Sequence, residues 1–221
     1  MRTLLPIRLL SLSLLSLPLL AAAADDADFC RNGLFPHEQA QLDLGVIQGR
    51  PNERVHFYDD NDGCPAKGAA CRRTSYLIPG DAVVVGKRNA DWACVWYEGR
   101  KHESVSWVPM RSVALRPTAP LDRAQDWTGL WTDGTSSIRI APAGKDGALH
   151  MVSKLRWEGG EGRANFGGME GVLARQGARA GAVQGECRVA LSRIGDYLVA
   201  DDNGACGGMN VRHTSMYRRR K

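Results

Sequence analysis

Six cysteines placed behind a secretory leader constrain this chain more than any other feature. Arg2 and Arg8 make a positive start, residues 9–20 are a run of Leu and Ser broken by one Pro, and Ala22-Ala23-Ala24 offers the small-residue site that a signal peptidase cuts. The apolar run is about twelve residues, short of the ~20 that a bilayer-spanning helix needs. Cleavage near Ala24 is therefore expected, with a periplasmic or secreted product and no transmembrane segment in the mature chain. No cysteine directly follows the run, and Asp28-Phe29-Cys30 is a poor lipid-attachment box.

Export decides how the cysteines are read. Cys30, Cys64, Cys71, Cys94, Cys187 and Cys206 all lie beyond the leader, in an oxidising compartment where thiols pair. None forms a Cys-x-x-Cys, which removes the main support for zinc-ribbon or thioredoxin chemistry. Local pairing predicts Cys64–Cys71 and Cys187–Cys206, and leaves Cys30–Cys94 to tie the mature N-terminus onto a strand. No cofactor and no metal is expected.

The 221 residues are 43% hydrophobic and 24% charged, the balance of a globular protein, with a formal charge of +5. The Arg218-Arg219-Arg220-Lys221 tail reads as a solvated terminus, or as an attractor for an acidic partner. No basic stripe supports nucleic-acid binding. A Pro-bearing break over residues 116–121 suggests a stiff linker between a unit at 25–115 and another at 122–221. Both read as β. Residues 81–85, 92–97, 105–108, 137–140, 148–155, 186–191, 197–200 and 210–217 are short β-branched, aromatic or alternating runs between polar turn clusters. Residues 38–44 are the single helix candidate.

Residues 55–115 resemble a bacterial SH3-like domain. The resemblance rests on the opening strand Val55-His56-Phe57-Tyr58, on Pro79-Gly80-Asp81 leading into Val83-Val84-Val85, and on Asp91-Trp92 at the start of a strand. The closing Ser106-Trp107-Val108-Pro109 completes it, with Ser106 where that family usually has Gly. It implies a small barrel used for recognition, often of peptidoglycan or peptide. Tyr58, Trp92 and Trp107 are then candidates to line a shallow aromatic groove, with core packing as the alternative role.

The second unit opens on Trp127-Thr128-Gly129-Leu130-Trp131 and nearly ends on Tyr217-Arg218. A Gly-x-Trp on the first strand and an Arg on the last resembles the signature of lipocalin- and avidin-type barrels, in which the Arg packs across the Trp at the closed end. The fold class is thus all-β: a small SH3-like barrel followed by a second antiparallel β-barrel or sandwich, stapled by disulfides.

Residues 201–210, Asp-Asp-Asn-Gly-Ala-Cys-Gly-Gly-Met-Asn, mark a turn or bulge. Pinned by Cys206, this loop either serves folding or presents Asp202, Asn203 and Asn210 to a partner. The familiar catalytic patterns fail. His37-Glu38 lacks a His at 41, His102-Glu103 lacks one at 106, and Asp60-Asn61-Asp62-Gly63 lacks the flanking carboxylates of an EF-hand. No Gly-x-Ser-x-Gly elbow occurs, and His37, His56, His102, His150 and His213 are scattered. The reading that remains is an exported non-catalytic binding protein that recognises peptidoglycan or a periplasmic, wall-associated protein. An inhibitor or immunity protein that blocks a wall hydrolase is the alternative, followed by a small-ligand carrier using the second barrel.

Overall fold

The computed structural model describes residues 29–37, 42–118, 121, 123–144 and 147–220. The leader and its cleavage site lie outside the described residues, as do residues 119 and 120 of the expected linker. The chain is all-β, and the described residues contain no helix long and apolar enough to cross a membrane.

The first half supplies β1 (Asp43–Ile47), β2 (Val55–Tyr58), β3 (Arg72–Leu77), β4 (Ala82–Asn89), β5 (Trp92–Glu98), β6 (Glu103–Pro109) and β7 (Val113–Arg116). They form one seven-stranded antiparallel sheet in the order β3-β2-β6-β5-β4-β1-β7. Its central strands read as unbroken apolar runs because both faces are covered. Side chains alternate across a strand, so Ala93 and Val95 point into a core with Ile47, Val55, Phe57, Leu77, Val83 and Val85. Cys94 and Trp96 point the other way, into a second core with Val84, Val105 and Trp107.

The second half supplies β8 (Gly129–Thr132), β9 (Ser137–Pro142), β10 (Leu149–Glu158), β11 (Ala164–Gly167), β12 (Glu170–Gln176), β13 (Arg179–Gln184), β14 (Cys187–Ile194), β15 (Tyr197–Asp202) and β16 (Ser215–Arg219). Successive strands pair, β16 returns to β8, and β9 pairs with β10, which closes an eight-stranded antiparallel barrel. Of the alternatives read from the sequence, barrel or sandwich, the barrel is the one formed. β11 lies outside the closed ring, paired to the far end of β10. The barrel interior holds Trp127, Trp131, Ile138, Ile140, Leu149, Met151, Leu191, Leu198 and Tyr217, all essentially inaccessible to solvent. It is packed with side chains.

Three disulfides, Cys30–Cys94, Cys64–Cys71 and Cys187–Cys206, account for all six cysteines. The first straps the N-terminal segment across the sheet, and Asp60 supports it by accepting the Cys30 amide at 3.0 Å and Arg31 Nε at 2.7 Å. Phe35 and Cys30 thereby enter the second core, where the sheet also meets Ile194, Val199 and Met216 of the barrel. Trp96 packs edge-on against Tyr197 with ring centroids 5.1 Å apart.

Several expectations need correction. Residues 38–41 of the helix candidate lie outside the described residues, but Asp43 and Leu44 belong to β1, where they pair with Val85 and Val84. Arg116, the first residue of the expected linker, belongs to β7, because β1 offers it a pairing edge. The strand expected at 210–217 begins only at Ser215, since residues 203–214 form a loop pinned by the third disulfide. Strands β12 and β13 carry no strand signal in their residues, being rich in Gly, Ala and Arg with few β-branched residues.

Candidate functional site

Two regions gather the residues singled out from the sequence. The first is an aromatic band on the sheet. His56 and Tyr58 are half-buried on the face opposite Val55 and Phe57. Across the strand pair, His56 faces Tyr76 and Tyr58 faces Arg72. The Trp92 ring lies 4.6 Å from that of Tyr58, and the His56 and Tyr76 rings are 5.8 Å apart. Arg54 stacks its guanidinium 4.6 Å from the centroid of Tyr76, a cation–π contact. The band thus runs from Trp92 outward to β3, the edge of the sheet. His56 is oriented by its Nδ1, 2.8 Å from the Arg73 carbonyl.

Trp107 does not join this surface. It pairs with both Cys94 and Tyr58 but is fully buried in the core between sheet and barrel. The groove role is thereby corrected to packing: an indole directed inward on a doubly covered strand has no solvent face. Tyr58 and Trp92 also rest against that core, yet each is only half-buried.

The second region is the loop at 203–214, which caps one end of the barrel. Cys206 ties it to β14, Gly207 bridges to Gly167, and Asn165 Nδ2 donates to the Met209 carbonyl at 2.8 Å. A side chain at Gly168 would place its Cβ 2.3 Å from the Ser153 carbonyl, so the backbones approach this closely only because the position is Gly. Asp202 and Asn203 hold the loop from within. Asn203 accepts the Arg188 amide at 3.0 Å and donates to the Glu186 carbonyl at 2.8 Å. Asp202 accepts the amides of Gly204, at 2.7 Å, and of His213, and its Oδ2 is 3.1 Å from His213 Nδ1. Asn210 sits at the exposed tip with a φ of 66°. Beside it, Met209 is 78% exposed and Phe166 67%.

His213 is the functional-type residue that sequence reasoning missed. Its ring is fully buried, with Nδ1 toward Asp202 and Nε2 2.8 Å from Ser153 Oγ. The Asp–His–Ser order is that of a hydrolase triad. Here, however, Ser153 Oγ already accepts the Met169 amide at 2.8 Å, and all three side chains are buried. Burial raises the Asp202 carboxyl, but the hydrogen bonds from His213 and Gly204 outweigh it and hold the group below its ordinary range. The arrangement ties loop, β10, β12 and β15 together. Nothing in the spacing of residues 153, 202 and 213 announces this, since two separate strands and the loop must come together before they meet.

At the opposite end, Trp131 makes cation–π contacts with both Arg193 and Arg219, whose guanidinium carbons lie 4.4 and 4.8 Å from its ring centroid. The arginine named from the sequence, Arg218, lies instead over Tyr197 and pairs with Glu98. Alternation along β16 directs Tyr217 and Arg219 inward and Arg218 outward. Burial, and then the neighbouring Arg219, pulls Arg193 down to about 10.

No protein-family model, curated protein or solved structure matches the chain. The functional reading therefore rests on these residues alone.

Proposed function

We propose that this is an exported, non-catalytic binding protein whose first sheet, read as an SH3-like module, recognises peptidoglycan or a wall-associated protein. The observation that carries the reading is the band of Trp92, Tyr58, His56 and Tyr76 on one side of the sheet, flanked by Arg54 and Arg72. Rigid aromatic faces stack on sugar rings and apolar side chains at little conformational-entropy cost, and the arginines favour carboxylate-bearing ligands. Co-sedimentation of the oxidised protein with purified sacculi tests it. Salt-resistant pelleting that is lost in Trp92→Ala is the expected result. Pelleting that vanishes with moderate salt would assign the attraction to the basic tail, and no pelleting would overturn the reading.

A second reading has its own support. The loop at 203–214 presents Met209 beside Phe166 on a frame locked by a disulfide, the form of a pre-organised plug for a hydrolase cleft. Inhibition of a wall hydrolase that is lost in Met209→Asp would move function to this loop. The filled barrel interior gives no comparable support to a small-ligand carrier.

A further inference from the structure

We infer that the cleft between the two halves of the chain binds a small organic anion with a doubly charged oxyanion head. The cleft has a volume of about 420 Å³, within the range of small-molecule pockets, which favour junctions between structural units. Three elements line it. The turn joining β5 to β6 supplies Arg100, Lys101 and His102, the turn after β8 supplies Asp133 and Gly134, and β16 supplies Met216 and Arg218. The site lies at the end of β5 away from Trp92. It is therefore separate from the aromatic band and goes beyond the binding role proposed for that band.

Charge decides what the cleft takes. Glu98 and Glu103 face each other across the β5–β6 pair, a like-charge contact that destabilises a sheet unless each group is engaged. Each is: Glu98 pairs with Arg218, and Glu103 accepts the Trp96 indole Nε1 at 2.8 Å. The third carboxylate, Asp133, accepts the amides of Thr135 at 2.9 Å and Ser136 at 2.6 Å. Arg100 and Lys101, by contrast, make no ion pair among the described residues. The uncommitted charge of the cleft is thus two cations, which a dianion matches. A guanidinium fork and an ammonium both give charge-assisted hydrogen bonds to phosphate or carboxylate oxygens. The tip that carries them is fixed. The Gly99 amide donates to the His102 carbonyl at 3.1 Å, and a Cβ at position 99 would lie 2.7 Å from that oxygen, so the turn closes this tightly only with Gly. A pre-set tip lowers the ordering cost of binding. Trp96 and Met216, both almost wholly buried, give the cleft an apolar wall. An organic body gains contact there that a bare inorganic ion does not. Phosphate monoesters and dicarboxylates share the required head.

The test uses the full oxidised chain, because the cleft exists only where the two halves meet. Calorimetric titration at about 0.15 M salt compares phenyl phosphate, phthalate and inorganic phosphate. Saturable binding of phenyl phosphate or phthalate at one site per chain, tighter than that of inorganic phosphate, supports the site and identifies the head. Arg100→Gln/Lys101→Gln should weaken it about 10- to 100-fold. Both side chains are exposed, so the urea midpoint of this variant should stay at the wild-type value. Arg54→Gln/Arg72→Gln, on the aromatic band, should leave the affinity unchanged. In heteronuclear NMR spectra the ligand should shift the Trp96 indole resonance more than that of Trp92. Absence of saturable binding overturns the proposal. So does binding that persists at full affinity in Arg100→Gln/Lys101→Gln, which would assign it to the C-terminal arginines.

Discussion

Replacing Asp202 with Ala removes the acceptor at the centre of the barrel cap. Its carboxylate takes the main-chain amides of Gly204 and His213 and orients the His213 ring, and its side chain is wholly buried. Truncating one member of such a buried, hydrogen-bonded pair costs about 3–5 kcal/mol, because the donors left behind are desolvated and unpaired. Total stability for a domain is about 5–15 kcal/mol, so the variant should be visibly weakened. Urea unfolding of the oxidised protein at neutral pH measures this directly. The pH dependence gives an independent check with a defined sign. The folded carboxyl titrates below its unfolded value of about 3.9, so its contribution is present in full above that value and fades as pH falls through the folded pKa. The gap between wild type and Asp202→Ala should therefore be constant from neutral down to about pH 5 and shrink below pH 4. A loss under about 1 kcal/mol at neutral pH, or a gap that persists unchanged in acid, would show that Asp202 is not the paired, buried anion described here.

Three further outcomes are expected. Trp107→Ala should cost about 3–5 kcal/mol in urea unfolding, as for other buried aromatic truncations, whereas Trp92→Ala should affect ligand binding more than stability. Removing the strap with Cys30→Ala/Cys94→Ala opens a loop with a sequence separation of 64 and should cost about 4 kcal/mol by loop-closure entropy, read as a lower denaturation midpoint. Glu98→Gln should change stability by only about 0–1 kcal/mol, less at high salt, because the Glu98–Arg218 pair is partly exposed.

The legible parts of this chain were those encoded in short stretches. Val83-Val84-Val85 and Trp92 to Tyr97 announce strands by residue type, and the order and spacing of the cysteines pointed to the three pairs. What remained hidden required closure in space. Ala174, Ala180, Gly181 and Ala182 look like a poor strand pair in isolation, but pairing on both edges, to β12 and to β14, holds β13 in the barrel. Arg116, followed by prolines, reads as the start of a linker because the pairing edge that holds it, β1, lies some seventy residues earlier. The aromatic band is half legible: residue type and resemblance single out Tyr58, Trp92 and Trp107 alike and leave groove or core open for each, whereas the burial of Trp107 depends on a barrel that follows it in the chain.

The core between the two sheets has a consequence for how the molecule comes apart. Val84, Trp96, Val105 and Trp107 on one side and Ile194, Val199 and Met216 on the other cover each other, with the strapped N-terminal segment, Leu44, Tyr58, Trp92 and Tyr197 packed around them. Cutting the chain at the prolines after β7 would leave each half with an uncovered apolar wall, in the first case one rich in tryptophan. Neither half is a natural unit of expression, and the two should melt as one cooperative transition, with the fragments recovered in the aggregate rather than the soluble fraction.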